Sequence, residues 1–296
     1  MSTRAGVLGP VLVELAAAGL DPDSVLATID AALEEDLPDG SVDVTSVATI
    51  PADATGSGVF AAREAGVVAG LGVAALVFLR VDPRVDVHDR VADGTRVAAD
   101  DVVLRVSGPT RSLLTAERTA LNLASHLSGV ATATSHWVDA LAGTRARVLD
   151  TRKTLPRLRA LQKYAVRCGG GVNHRLSLSD RAMVKDNHVV AAGGVVPAYE
   201  RVRAAYPDLR VEVEVTDLDQ LRELLGAGWT EILLDNMDTA TMTEAVAVTA
   251  GRATLEASGG LTLERAREVA ETGVDFISVG ALTHSVRVFD LGLDLT

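Results

Sequence analysis

Along the chain the apolar positions change their period near Pro109. From 24 to 35 they recur at helical spacing, with Leu26, Ile29 and Leu33 on one side and Asp23 placed to cap the first turn. A turn-rich segment follows around Pro38–Gly40. Runs at 58–63 and 67–68 read as strands, and 71–79 as a helix. Between 84 and 106 short Val-rich pieces are broken at Asp93–Gly94 and Asp100–Asp101, which is a hairpin pattern. The first hundred or so residues are therefore expected to be α+β with antiparallel strands. Past Pro109, residues 113–141 turn helical and rich in Ala and Leu, with Gly129 marking a close approach or a break. Strand and helix then alternate. Strands are expected at 147–150, 182–184, 211–215, 231–234, 253–256 and 275–279, and helices at 158–167, 195–206, 218–225, 239–249 and 261–272. Repeated βα units predict a parallel barrel or a doubly wound sheet.

Length adds that 296 residues suit two domains, or one barrel with an appendage. Aromatics make up only 3%, so the core must be mostly Ala, Val and Leu. A net charge of −12 argues against general nucleic-acid binding, which needs a basic face. The single Cys168 can form no internal disulfide and fits a reducing compartment, hence the cytoplasm. Residues 6–20 resemble a signal core faintly, but Pro10 and Glu14 interrupt them, and secretion is not expected. The apolar run 67–79 is too short to span a bilayer. The glycines form no G-x-G-x-x-G fingerprint.

Charge changes the picture at 151–190. This stretch holds nine Lys or Arg and two acids, inside an acidic chain. A solvated helix face accounts for Arg157, Arg159, Lys163 and Arg167. It does not suit Arg152–Lys153 or Asn173–His174–Arg175, which follow a strand-like run and a Gly triplet and so fall on loops. Those cations suggest a pocket for a small, multiply anionic substrate.

Strand ends are where a βα barrel places its chemistry. Arg152, Lys153, Lys185 and Asp235 each follow a predicted strand, as do Ser258–Gly259–Gly260 and Gly280–Ala281. Glu212 and Glu214 share one face of VEVEV, because side chains alternate along a strand. Two carboxylates there are either solvent-facing or functional, and parallel sheets are usually covered on both faces. Glu214 with Asp235 could hold ribose hydroxyls or a Mg²⁺ shared with substrate phosphates. Alternatively, Asp235–Asn236 caps the helix beginning near Thr239. Ser258–Gly260 offers backbone N–H groups to a phosphate, and Gly280 marks a second such turn. His174 and His188 each read, alone, as structural histidines. No His/Cys group has zinc-ligand spacing, and Ser177, Ser179 and Cys168 show no nucleophile pattern. The residues thus reach an α/β enzyme for a phosphate-bearing anion, without its reaction.

Eight stretches carry a closer resemblance. They are EDLPDGSVDVTS (35–46), LTAERTALNLASHLSGVATAT (114–134), DTRKTLPRLRALQKYAVRCGGGVNHR (150–175), MVKDNH (183–188), VEVEV (211–215), ILLDN (232–236), LEASGG (255–260) and GVDFISVGALTHS (273–285). In this order they resemble the quinolinate phosphoribosyltransferase family. The departures are Arg157, where Gly is expected after TRKTLP, and the wider spacing in GSVDVT. The resemblance implies an N-terminal α/β sandwich domain (1–126, joined by 285–296) and an open, irregular α/β barrel (127–284). It implies a homodimer with shared active sites, and leaves a higher oligomer open, with Arg118 serving the partner's site. Arg152, Arg175 and Lys185, with Thr151 and His174 beside them, would bind the carboxylates of quinolinate. Lys153, Glu214 and Asp235 would serve phosphoribosyl pyrophosphate and Mg²⁺. Ser258, Gly259, Gly260, Val279, Gly280 and Ala281 would hold its 5′-phosphate. Neither nucleic acid nor membrane is expected as a partner.

Two rivals remain. One is a related phosphoribosyltransferase acting on another pyridine such as nicotinate; the complete set of cations for two carboxylates speaks against it. The other is a barrel that only senses the metabolite, which would have no need of Glu214 and Asp235.

Overall fold

The computed structural model describes residues 4–296, with side-chain environments from Leu8 onward. Contacts divide the chain into two compact units. The first runs through Ala133 and adds Leu155–Gly170 and Ser285–Thr296; the second comprises Thr134–Thr154 and Gly171–His284. The sequence places the boundary at 126/127. Residues 155–170, inside the expected barrel range, cluster with the first unit.

Helices α1 (Arg4–Ala17), α2 (Pro22–Asp36) and α3 (Val44–Thr49) open the first unit. Asp21, not Asp23, caps α2: its carboxylate accepts from the Ser24 N–H while Pro22 fills the first helical position, where no N–H is needed. Strands β1 (Thr55–Ala62) and β2 (Gly66–Val67), helix α4 (Leu71–Val81), and strands β3 (Asp86–His88), β4 (Arg96–Val97) and β5 (Val102–Pro109) follow. The expected hairpin is more divided than its pattern suggests. β3 and β5 pair antiparallel with each other, while β4 pairs with β2. The main sheet has the order β12-β1-β5-β3, where β12 (Leu291–Leu295) returns from the C-terminus to pair with β1. Helix α4 is buried along nearly its whole length, with Leu71, Val73, Leu76, Val77 and Phe78 fully covered. The long helix α5 (Thr110–Ala140) is unbroken at Gly129. That glycine marks a close approach, since a Cβ would collide with the Arg287 carbonyl.

Helix α6 (Arg159–Cys168) corrects the solvated-face reading. Lys163 and Gln162 are completely buried. Tyr164 donates to Asp93 Oδ2 at 2.7 Å, and Gln162 pairs with His126 at 2.9 Å, so α6 is packed into the first unit. Arg157 precedes it at φ 64°, a left-handed conformation that suits glycine, which is the physical basis of the residue expected there.

The second unit alternates as expected. Its strands are β6 (Arg147–Leu149), β7 (Ala182–Val184), β8 (Val211–Val215), β9 (Glu231–Asp235), β10 (Thr254–Ser258) and β11 (Phe276–Ser278). Its helices are α7 (Asp186–Ala192), α8 (Val195–Ala205), α9 (Leu218–Gly226), α10 (Thr239–Thr249), α11 (Ala266–Glu271) and α12 (Ala281–His284). All six strands are parallel, in the order β6-β11-β10-β9-β8-β7, and among the described residues no ladder joins β7 to β6, so the sheet stays open. Val211, Val213, Val215, Ile232, Leu234, Leu255 and Ala257 are buried at alternate positions and form one apolar face. The intervening positions carry Glu212, Glu214, Leu233, Asp235, Glu256 and Ser258 on the other.

Candidate active site

Strand register decides which polar residues meet. Glu214 lies opposite Leu233, and Leu233 opposite Glu256, so these three form a row across β8, β9 and β10. Asp235 and Ser258 pair at the next level, at the C-terminal strand ends. A cavity of about 280 Å³ opens here, with Arg152, Lys153, Arg175 and Lys185 among its walls. Thr151, His174, Glu256 and Ser258 also line it. A second cavity of about 270 Å³ shares Thr151, Lys153, Ser258 and Ser278 with the first. Gly259, Gly260, Val279, Gly280 and Ala281 line it. Two glycines shape this space, and Gly259 is required. Gly259 has φ +97°, and a Cβ on it would collide with the Asn236 side chain; a Cβ on Gly280 would lie 2.9 Å from Lys153 Cδ.

The loops behind this cavity are held by the strands. Asp150 is fully buried and accepts from the His174 N–H at 2.8 Å and from Asn173 Nδ2 at 2.5 Å. This carboxylate therefore fixes the Asn173–His174–Arg175 loop against the end of β6. Thr151 Oγ1 accepts from the Lys153 N–H at 3.0 Å, and Thr283 Oγ1 donates to the Lys153 carbonyl at 2.9 Å. Arg175 donates to the Arg181 carbonyl at 3.3 Å and approaches Met183 Sδ at 3.7 Å. Burial, and then the neighbouring Arg152 charge, lower the Arg175 pKa. Two guanidinium groups close enough to repel gain from an anion between them.

Lys185 Nζ lies 2.7 Å from Glu214 Oε2. The sequence assigns one to carboxylate binding and the other to the metal and ribose; here they form one ion pair. Glu214 is buried, whereas Lys185 is half-exposed. Asp235 ends β9, and its Oδ2 accepts from Asn236 Nδ2 at 2.8 Å. It lines neither cavity. It is not a helix cap: Asp238 takes that place on α10, accepting from the Thr241 N–H at 2.8 Å. Arg118 sits on α5 in the first unit, beside a cavity of about 690 Å³ lined also by Arg63, Glu64, Arg287 and Asp290.

Glu212 corrects the solvent-facing alternative. It is 2% exposed and lies 2.7 Å from His174 Nε2 and 3.1 Å from Arg181 Nη2. Arg181 also reaches Glu231 at 2.7 Å. Burial would push the His174 ring down, but Glu212 and Glu256 carry it up to about 9. The Arg175 N–H donates to His174 Nδ1 at 2.8 Å. That bond puts the ring proton on Nε2, facing Glu212, and the cation that the raised value favours requires the bond to be broken. His188 is structural, its Nδ1 accepting from the Lys185 N–H at 3.0 Å. Glu256 and Arg181 were missed as site residues. The available signal was the alternation in TLEAS, which puts Glu256 on the face of Ser258.

The family model for the N-terminal domain of quinolinate phosphoribosyl transferase matches residues 43–128, and that for its C-terminal domain matches 130–294. The nicotinate-nucleotide pyrophosphorylase [carboxylating] of Mycobacterium leprae is 53% identical over 279 residues, covering 92% of this chain and 98% of its own. The chloroplastic protein of that name from Oryza sativa is 40% identical, covering 91% and 77%. Among solved structures, NadC from Streptococcus pyogenes superposes with a TM-score of 0.90 at 42% identity, covering 94% of this chain and 98% of its own. Human nicotinic acid phosphoribosyltransferase shares the fold alone, with a TM-score of 0.57 at 14% identity, covering 85% and 72%.

Proposed function

Because the chain belongs to the quinolinate phosphoribosyltransferase family, we propose that it converts quinolinate and phosphoribosyl pyrophosphate to nicotinate mononucleotide, CO₂ and pyrophosphate, in de novo NAD biosynthesis. The observation that carries this reading is the convergence of Arg152, Lys153, Arg175 and Lys185 on one cavity of the second unit. Two ring carboxylates need several fixed cations, and arginine meets a carboxylate with two parallel N–H bonds. Arg152, Arg175 and Lys185 take that role, with Thr151 and His174 completing the wall. Ser258, Gly259, Gly260, Val279, Gly280 and Ala281 line the adjoining cavity and hold the 5′-phosphate. Lys153 borders both cavities, which suits a residue acting where the two substrates join.

Loss of pyrophosphate builds positive charge on the ribosyl carbon and negative charge on the leaving group. Lys153 stabilises the leaving group, and the fixed carboxylates Glu214 and Asp235 favour the sugar cation. The pyridine nitrogen attacks and becomes a pyridinium, which accepts the electrons released when the adjacent carboxylate leaves.

Mg²⁺ belongs to the same proposal. Glu214 and Asp235 offer hard oxygen donors at the ends of neighbouring strands. Among the described residues no third His, Cys or carboxylate joins them in a ligand cluster. That donor set fits Mg²⁺, which is commonly held by one or two carboxylates plus substrate phosphates. Bound there, the ion would screen the pyrophosphate charge. A homodimer in which Arg118 serves the partner's cavity, and a cytoplasmic location, complete the reading. Arg118 lines a cavity of the first unit with Arg63 and Arg287, a set of cations that suits an anionic substrate held by another copy. Among the described residues no helix is long and apolar enough to cross a membrane.

The test is release of CO₂ from carboxyl-labelled quinolinate by the purified chain. Release should need both phosphoribosyl pyrophosphate and Mg²⁺, and match pyrophosphate mole for mole. Binding of both substrates without release of either product would make the chain a sensor.

A further inference from the structure

The reaction replaces a carboxylate with a hydrogen. When CO₂ leaves, the bonding pair stays on C2 of the pyridinium ring, and that carbon must gain a proton. The residues assigned so far hold anions, the ribose or the metal, and none of them accounts for this proton.

His174, Glu212 and Glu256 each place one ligand-type atom within 4.8 Å of the others, all of them buried. Such a group suggests a metal centre, but its positive charge is already supplied. Arg181 Nη2 lies 3.1 Å from Glu212 Oε1, and Arg181 Nη1 lies 3.3 Å from His174 Nε2. A dication would sit against that guanidinium. Glu212 takes the short contact to His174 together with Arg181. Glu256 is left over: its Oε2 is 3.5 Å from the same ring nitrogen, buried, and makes no hydrogen bond. Yet Glu256 lines the cavity that holds Arg152, Arg175 and Lys185, one inward position below Ser258.

A carboxylate ion beneath a dianionic substrate would oppose its binding. Burial and then the Glu212 charge push the Glu256 carboxyl up, while His174 and Ser278 favour its ion less strongly. These are the groups that face it from β8, the 174 loop and β11, with Arg181 behind Glu212.

We propose that Glu256 carries a proton and delivers it to C2 of the nucleotide as CO₂ departs. The proposal rests on the decarboxylating phosphoribosyl transfer described above. The bond between C2 and its carboxylate breaks, and CO₂ leaves without the bonding pair. That pair takes the Glu256 proton to form the new C–H bond, and the O–H electrons stay on Glu256 as a carboxylate. Water reprotonates it when product leaves, so no oxidant, reductant or further co-reactant enters. The other acids at this cavity are already engaged. His174 has one ring nitrogen facing Glu212 and the other accepting the Arg175 N–H. Asp150 accepts two hydrogen bonds and is held as an acceptor. Lys153 and Lys185 would lose, on giving up a proton, the charge that holds the anions.

The experiment is single-turnover chemistry with Glu256→Gln, which keeps size and polarity but has no proton to give. Pyrophosphate and CO₂ are followed in the same reaction. Wild type should release both together. The variant should release pyrophosphate at close to the normal rate in the first turnover, while CO₂ lags by ~10²-fold or more, the usual worth of a positioned acid. The KM for quinolinate should stay within about threefold, as expected for a group acting on the chemical step. Glu256→Asp should recover part of the CO₂ rate, and it supplies the same ratio should the Gln variant fail to fold. Equal slowing of both products, or no change in either, would overturn the proposal. A wild-type chain that releases neither product would instead overturn the functional reading beneath it.

Discussion

Asp93 in the first unit is a partly buried carboxyl group and Glu256 in the second a fully buried one. In each, burial is the leading cause of an upward shift in pKa. They differ in what their oxygens do. Asp93 accepts from Tyr164 Oη at 2.7 Å, the Gly70 N–H at 2.9 Å and the Leu71 N–H at 3.0 Å. It joins the start of α4 to α6 and spends its bonding capacity within the fold. Glu256 keeps a buried oxygen without a hydrogen bond, and it lines a cavity. Burial with a shifted carboxyl therefore does not by itself mark chemistry. A cavity-lining carboxyl that also keeps an unspent oxygen is the sharper criterion.

The contrast breaks first if the cavity cations are dispensable. Lys185→Ala strips the buried Glu214 of its ammonium partner and removes a cation from the cavity. Losing one partner of such a pair costs about 2–5 kcal/mol. Steady-state kinetics should show kcat/KM for quinolinate falling by roughly 10²-fold or more, and the urea midpoint should fall too, because Glu214 stays buried without its partner. Asp93→Ala should cost stability alone. Three donors lose their acceptor, and unfolding free energy should drop by about 2–4 kcal/mol in urea titrations. The kinetic constants per folded molecule should be unchanged.

Smaller effects sharpen the same division between fold and site. Arg157 adopts φ 64°, so Arg157→Gly should relieve left-handed strain and raise stability by about 1 kcal/mol. Calorimetric melting would show it. Asp82 gives the weakest signal. Its carboxyl is lowered to about 2, chiefly by the Arg84 hydrogen bond, with burial opposing and Ser112 assisting. A depressed folded-state pKa gives stability that is complete above the unfolded value of 3.8 and fades as pH falls toward 2. Asp82→Asn should lose less stability than wild type between pH 4 and 2.

Legibility followed the range of the interactions. β8 is legible to the residue, because its alternation of Val and Glu is local. Helix α1 was hidden by Pro10, and α3 is a six-residue helix in a turn-rich stretch. α7 begins at the KDNH motif, which reads as a loop of charged and polar residues. β12 pairs with β1 from the far end of the chain, and no local pattern shows that. In the site, the basic loops stood out through charge alone, and their assignment to quinolinate came from the family resemblance. The pairing of Lys185 with Glu214 was not readable, nor the meeting of His174, Glu212 and Glu256, because each depends on register between strands far apart in sequence.

Quinolinate and nicotinate differ by the carboxylate that is lost, so they test most directly whether the cavity is built for two. If Arg152, Arg175 and Lys185 converge on two carboxylates, nicotinate leaves cations unpaired. Sites built around a polar group can reject analogues lacking it by ~10⁴ or more. The measurement is kcat/KM for both acids on one preparation, with phosphoribosyl pyrophosphate and Mg²⁺ saturating. A preference for quinolinate of that order is the predicted result. Comparable values would contradict the dicarboxylate site and favour a nicotinate-using transferase.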